Sequence, residues 1–383
     1  MVVPARDAAP NTRLRHTREA RNLTQDEVAD GLIQLGAKGV TGGLVSKWER
    51  GVCRPNRFHQ RLLCRLFGLT AAELGFGRSD AAAAPPEEVI RAALLEPARA
   101  TVKLSWLVWY GTADHSVVER VTDLLTKLTE VAEGSAGSLR DPALELLAYA
   151  HEMTGKVAFD QLDYPAASRH FLEMQQLGEE LGDCDILALA AIHQGDVLRR
   201  RGQYQLAVQR LESAAPYAMQ ASRAIEGLRQ QTLARAHAEF GYRDAFYQAI
   251  DLAERTAAEA PPESEDWGAP FTLMSVLHEK AHGQTLLWEP DKALALYAQT
   301  EPAFQAASLR DLGNFTILKA QAHAYAGNVD VGVALGIEGL QFARRYGSPR
   351  HVSRVQRMYD RLSRTPIGTS ARMRDLAEAL RAA

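Results

Sequence analysis

The densest grouping of residues able to do covalent chemistry in this 383-residue chain is His278-Glu279-Lys280-Ala281-His282. Two histidines four apart share one helix face, where they can hold zinc. A glutamate beside the first can act as general base on a metal-bound water. Three features argue against that use. Lys280 puts a cation where such sites carry an uncharged residue, no His-x-x-Gly-x-x-His extension follows Gly283, and the motif lies inside a helix of a repeating pattern instead of an independent fold; Glu301, at a distance where a third ligand could fall, is mid-helix and followed by Pro302. Elsewhere there is no nucleophile elbow, phosphate loop or CxxC pair. Cys53, Cys64 and Cys184 are an odd, unspaced set that reads as reduced thiols. The expectation is a protein that is not an enzyme and holds no metal or cofactor.

Nucleic-acid chemistry is better represented. In Val40–Gly51, VTGGLVSKWERG, Thr41 is an N-cap type residue, and Leu44, Val45 and Trp48 form one apolar stripe. Ser46, Lys47 and Arg50 lie outside it, and Gly51 supplies a left-handed stop. Ahead of it, Thr24 and Glu27 make a capping box opening the helix of LTQDEVA, so two short helices flank a loop. Charge follows the same division. Residues 11–78 carry a net +6 and residues 79–383 a net −9, which confines phosphate attraction to one end of the chain.

LTQDEVA, then VTGGLVSKWERG, Arg54-Pro55 and the apolar helix Phe58–Leu69 resemble the lambda-repressor/Cro-type (XRE) helix-turn-helix domain over about residues 11–76. The resemblance implies a five-helix DNA-binding module in which Arg18 pairs internally with Glu49. It also implies that Gln25, Arg54 and Arg57 touch phosphates and that the first residues of the second helix reach base edges. Those first residues are Gly42 and Gly43, which lack side chains, so base reading is expected to fall on Leu44 and Lys47, with Arg50 on the same basic face and the glycines letting the backbone come close. Ile33–Lys38 is about six residues longer than the family's turn. Either the preceding helix runs past Gly31 and turns at Gly36 and Gly39, or the loop reaches toward DNA with Lys38.

The elements beyond the module are also helical. Residues 1–10 read as a disordered lead-in, and 77–86, with its AAAAPP run, as a linker. Over 87–383 there is no period-2 strand pattern. A turn followed by a small residue recurs at Ala166, Ala207, Ala245, Ala293 and Gly332, spaced 41, 38, 48 and 39 residues apart. That is the signature of tetratricopeptide-like helix pairs stacked into an α-solenoid, so the fold class expected is all-α throughout. His151, His193 and His278 fall 14–15 residues before their repeat's small residue. With Gln194, Gln231, His282 and Gln321 they are the expected lining of an effector groove. No apolar run is long enough to span a bilayer and no leader is evident, which points to the cytoplasm.

A helix-turn-helix module followed by such an array resembles bacterial regulators of the RRNPP quorum-sensing group and similar actinobacterial regulators. The resemblance implies a sequence-specific transcriptional regulator whose array dimerises and binds a peptide, small-molecule or protein effector, the homodimer meeting an inverted-repeat operator on double-stranded DNA. Two alternatives stay open. One is an interaction scaffold with a degenerate DNA-binding module, suggested by Gly42 and Gly43. The other is a zinc-peptidase-linked regulator of the ImmA/IrrE kind through the His278–His282 motif.

Overall fold

The computed structural model describes residues 10–76, 86–111, 116–135, 139–259 and 271–382; the expected lead-in and linker lie outside these but for Pro10 and Pro86. The described residues are helical, without strands, and none of their helices is long and apolar enough to cross a membrane.

Four helices make the N-terminal module: α1 (Thr12–Ala20), α2 (Gln25–Gln34), α3 (Gly42–Glu49) and α4 (Arg57–Phe67). Each begins at a side-chain cap, in turn Asn11, Thr24, Thr41 and Asn56, which satisfies backbone N–H groups that have no partner in the first turn. Thr24 and Glu27 close the capping box from both sides. Leu14, Val28, Leu32, Val45, Trp48, Leu63 and Phe67 fill one core between them. In place of the expected fifth helix the chain makes a hydrogen-bonded turn over Thr70–Phe76, where Gly75 takes φ +79. The long inter-helix segment resolves in favour of the first alternative: α2 continues past Gly31 to Gln34, and the chain turns at Gly36 and Gly39. Ala37 and Val40 anchor that loop in the core, leaving Lys38 exposed.

Seven helix pairs follow among the described residues. They are α5 (Pro86–Gly111) with α6 (Ser116–Gly134), α7 (Arg140–Asp160) with α8 (Tyr164–Leu181), and α9 (Cys184–Arg200) with α10 (Tyr204–Ser213) and its short continuation α11 (Ala215–Ala218). Next come α12 (Arg223–Phe240) with α13 (Arg243–Glu259), and α14 (Leu273–Leu286) with α15 (Pro290–Gln305). The last are α16 (Leu309–Tyr325) with α17 (Val329–Arg345), and α18 (Pro349–Leu362) with α19 (Ala371–Arg381). The first helices are buried nearly all round, as the run Ile186–Ile192 of α9 shows, because neighbours cover both sides; the second helices bury one stripe only. Close approach within pairs depends on small residues. A Cβ on Gly155 would stand 2.5 Å from the Phe171 ring of the second helix, and one on Gly195 would stand 2.7 Å from Leu211.

The array turns back on its own start. On α16, Arg310 donates to the Trp109 carbonyl of α5 (2.9 Å) and to Asp160 at the end of α7 (2.8 Å). Ser348, which caps α18, also donates to Asp160 (2.8 Å), and Gln161 donates to the Gly347 carbonyl (3.1 Å). First helices of the early and late pairs therefore face one another across a narrow axis, and α7 and α18 form its seam.

Candidate functional site

In the basic module, the structure brings Arg18 and Glu49 together. The guanidinium donates through Nε (2.6 Å) and Nη2 (3.1 Å) to the two oxygens of Glu49, which is 4% exposed, and through Nη1 to the Leu23 carbonyl (2.9 Å). The Glu49 hydrogen bond raises the Arg18 pKa above its ordinary value. Gln25 is drawn into the same network: its amide donates to Glu49 Oε2 at 2.7 Å. Glu49 thus ties α1, α2 and α3 at one point.

The other nucleic-acid candidates separate by exposure. Gly43, Lys47 and Arg50 are exposed on α3, and Leu44 is half-buried. Gly42 is buried, and its expected role of letting DNA close to the backbone is corrected: a Cβ there would stand 2.0 Å from Asp26 Oδ1 and 3.0 Å from the Asp26 backbone nitrogen. The residue is small because α2 and α3 touch at that point. Arg54 donates to the Phe76 carbonyl. Arg57 pairs with Asp141 (2.9 Å) and Glu145 (3.4 Å) of α7, while its neighbour Arg61 pairs with Glu145 (3.6 Å) and with Asp185 of α9 (3.0 Å). Arg57, expected to touch phosphate, thus meets carboxylates of the array.

The seven residues expected to line an effector groove are placed otherwise, and that expectation is corrected. His151 meets His170 ring to ring (3.0 Å between Nδ1 atoms), and burial, then the neighbouring imidazole, pushes its pKa down to about 4. His193 is buried against Glu152 (2.7 Å) and stacked on Phe171. Gln194 donates to the Phe171 carbonyl and to Gln175 and accepts from Arg210, all toward the second helices. Gln231 is buried, and Gln321 donates to Tyr325 one turn on. His278 and His282 are also buried; His278 is stacked on Phe315 and shares a hydrogen bond with Asn314 (3.2 Å), and burial brings it down to about 4. Glu279, between them, faces away from both toward Arg235, which donates to it at 2.7 Å. Burial opposes ionisation of Glu279, but Arg235 more than offsets it and holds the carboxyl at about 2. Glu301 is paired with Lys319 (2.7 Å).

The groups that do converge were not among those expected. A cavity of about 160 Å3 lies on the axis at the seam. One residue from each of six successive first helices faces it: Lys156, Asp196, Arg235, Glu279, Asn314 and Arg354. Asp196, Arg235 and Glu279 are joined (3.5 Å and 2.5 Å). Asp160 completes its own shell with Arg310 (2.8 Å), Arg350 (3.0 Å) and Ser348. Arg310 is sandwiched by Trp109 and Tyr346, 4.1 and 4.9 Å from the ring centroids. Arg350 also donates to His351 Nε2 (3.0 Å), so the neutral imidazole carries its proton on Nδ1, beside the Tyr346 hydroxyl. A larger recess of about 900 Å3 opens beside the same seam, where Val157 and Gln161 of α7 meet Pro349, Val352 and Gln356 of α18.

No family model matches the chain, and no curated protein matches it. Among solved structures, it is similar to Bacillus thuringiensis PlcR in complex with the peptide PapR7 and DNA. The likeness covers 97% of this chain and 98% of that one, with a TM-score of 0.33 and 11% identity, and is too distant to carry residue roles across.

Proposed function

We propose that the chain is a DNA-binding transcriptional regulator in which α3 enters the major groove and the closed helical array receives an effector. One observation carries the reading: Lys47 and Arg50 stand exposed on a short capped helix that Glu49, Arg18 and Gln25 lock to its neighbours, within the one basic portion of the chain. A rigid helix with a cationic outer face suits base and phosphate contact. Packing accounts for Gly42, so this residue no longer speaks for a degenerate module.

As part of the same proposal, residues 87–383 join two copies and the pair meets an inverted-repeat site, since one α3 offers few base-reading groups and each good contact is worth only about 1–3 kcal/mol. The deciding experiment is selection of bound fragments from genomic DNA by the full-length protein, followed by footprinting and by light scattering of the free protein. A recovered pseudo-palindrome and a dimer mass are expected. Recovery of no enriched sequence would overturn the DNA-binding reading; a monomer mass would overturn the dimer alone.

A further inference from the structure

Of the fourteen residues that line the axial cavity, one column runs along the successive first helices as Lys156 cationic, Asp196 anionic, Arg235 cationic, Glu279 anionic, Asn314 neutral and Arg354 cationic, with Asp160, Arg310, Asp311 and Arg350 at its seam end. Along an open array the alternation would simply end. Here α18 returns to α7, so the last cation of the column meets the first. Asp160, the carboxylate at the seam, is already shared by Arg310 and Arg350. Asp311 accepts from Ser308, and burial raises it from the usual carboxylate value; with it counted, the cavity lining carries five cations and four carboxylates.

Two cations are left without an ion-pair partner among the described residues. Arg354 is 9% exposed, and its one hydrogen-bonded partner is the neutral Asn314 carbonyl oxygen; no carboxylate lies within ion-pair distance of it among the described residues. Burial, then Arg350 and Arg200, pushes it well below its ordinary range. The Lys156 ammonium has no hydrogen-bond or ion-pair partner among the described residues, and burial lowers it as well. Lys156 is half-buried and Arg354 buried; a buried cation without a partner is costly unless something supplies the missing charge.

We propose that the cavity binds a small oxyanion, a carboxylate or phosphate-class head group, between Lys156, Arg350 and Arg354. An anion there completes the alternation. Arg354, bonded through Nη1 alone, presents its Nε and Nη2 as an N–H fork to a planar or tetrahedral oxyanion, Arg350 offers Nη1 beside its bonds to Asp160 and His351, and Lys156 supplies a point charge from across the seam. The volume of about 160 Å3 is that of about five waters, enough for an inorganic oxyanion, a short organic acid or the carboxylate end of a chain, and too small for a folded segment. The anion also bridges the first and last pairs, so occupancy and closure of the array are linked. The proposal names a ligand class for the effector site proposed above, and rests on that reading only for its regulatory consequence.

The test is thermal unfolding of the full-length protein at fixed pH and fixed ionic strength. Sodium phosphate, sodium succinate, and a short peptide with a free or an amidated C-terminus are titrated separately against a sodium chloride control. At least one oxyanion is expected to raise Tm saturably where chloride does not, and the amidated peptide is expected to do nothing. A response to phosphate or succinate marks a free small acid as the source; a response confined to the free-carboxyl peptide marks a chain end. Lys156→Gln and Arg354→Gln should each weaken the effect about tenfold or more, while Arg372→Gln on the exposed face of α19 should leave it unchanged. Without anion, Arg354→Gln should melt no lower than the parent, because it removes a buried cation that has no ion-pair partner among the described residues. No saturable response to any probe, or the same response in Arg354→Gln, overturns the proposal. Saturable binding that leaves DNA affinity unchanged would overturn the effector reading and leave the anion site standing.

Discussion

The basic module and the array axis treat buried charge in opposite ways. In the module the one buried ion pair is complete: Glu49 accepts from Arg18 twice and from Gln25, and the remaining Arg18 donor reaches the Leu23 carbonyl. At the array seam, Arg310 and Arg350 share Asp160, while Arg354 and Lys156 have no carboxylate partner within ion-pair distance among the described residues. A satisfied pair fixes a geometry. An unsatisfied one makes the geometry depend on what else is present, so the first belongs to a part that must be rigid and the second to a part that can respond.

The contrast is broken most sharply at Glu49. Glu49→Ala leaves the Arg18 guanidinium, 12% exposed, without its partner, and should cost the module about 3 kcal/mol. Hydrogen exchange of the α2 and α4 amides in the full-length protein should rise while α9 and α12 stay protected. Unchanged exchange in α2 would show that the pair is not holding the module.

Acid should act on the array next. His278 has a folded pKa of about 4 against an ordinary 6.5, because burial disfavours its charged form. Between those values the unfolded chain binds a proton that the folded chain does not. Stability therefore falls as pH drops from 6.5 towards 4, by up to about 1.4 kcal/mol per pH unit for such a group. Glu279, held at about 2, adds to the loss from 4.5 downward, as protonation ends its pairing with Arg235. In His278→Gln the slope of Tm against pH between 6.5 and 4 should flatten; an identical slope would remove His278 from the account.

Two neighbouring glycines sharpen the comparison inside the module. Gly42→Ala drives a methyl into Asp26 and should cost about 1–3 kcal/mol, whereas exposed Gly43→Ala, with Thr41 Oγ1 no nearer than 3.7 Å, should gain up to about 1 kcal/mol from helix propensity. Denaturant midpoints of the two variants moving the same way would contradict the packing described for α2 and α3. The smallest effect belongs to Arg57. Its partly exposed pairs with Asp141 and Glu145 should be worth no more than about 1 kcal/mol, and Arg57→Ala should shift Tm slightly at low salt and not at high salt.

Much of the fold was legible because its punctuation is chemical. Thr24 with Glu27 marks where α2 begins, and first helices end at left-handed residues that include Gly202, Gly241 and Gly327. The axial column was not legible. Lys156, Asp196 and Arg235 each stand six residues before the left-handed residue of their pair, at Leu162, Gly202 and Gly241. Glu279 stands nine before Trp288, and Asn314 thirteen before Gly327. The facing position climbs by one and then two turns as the array bends back, so a fixed repeat offset selects His282 and Gln321, which the structure buries or pairs locally. Charged residues scattered along helices also read as solvated ones until the array is known to close. Gly42 was misread for a related reason: a missing side chain looks the same whether DNA or Asp26 occupies the space.

The contacts of Arg57 and Arg61 bear on how the module meets a polyanion. Asp141, Glu145 and Asp185 are counterions that the chain itself supplies to these two guanidinium groups. A phosphate that claims either guanidinium displaces a tethered carboxylate instead of releasing a mobile ion. The affinity of the full chain for DNA should therefore fall with salt less steeply than the +6 of residues 11–78 suggests.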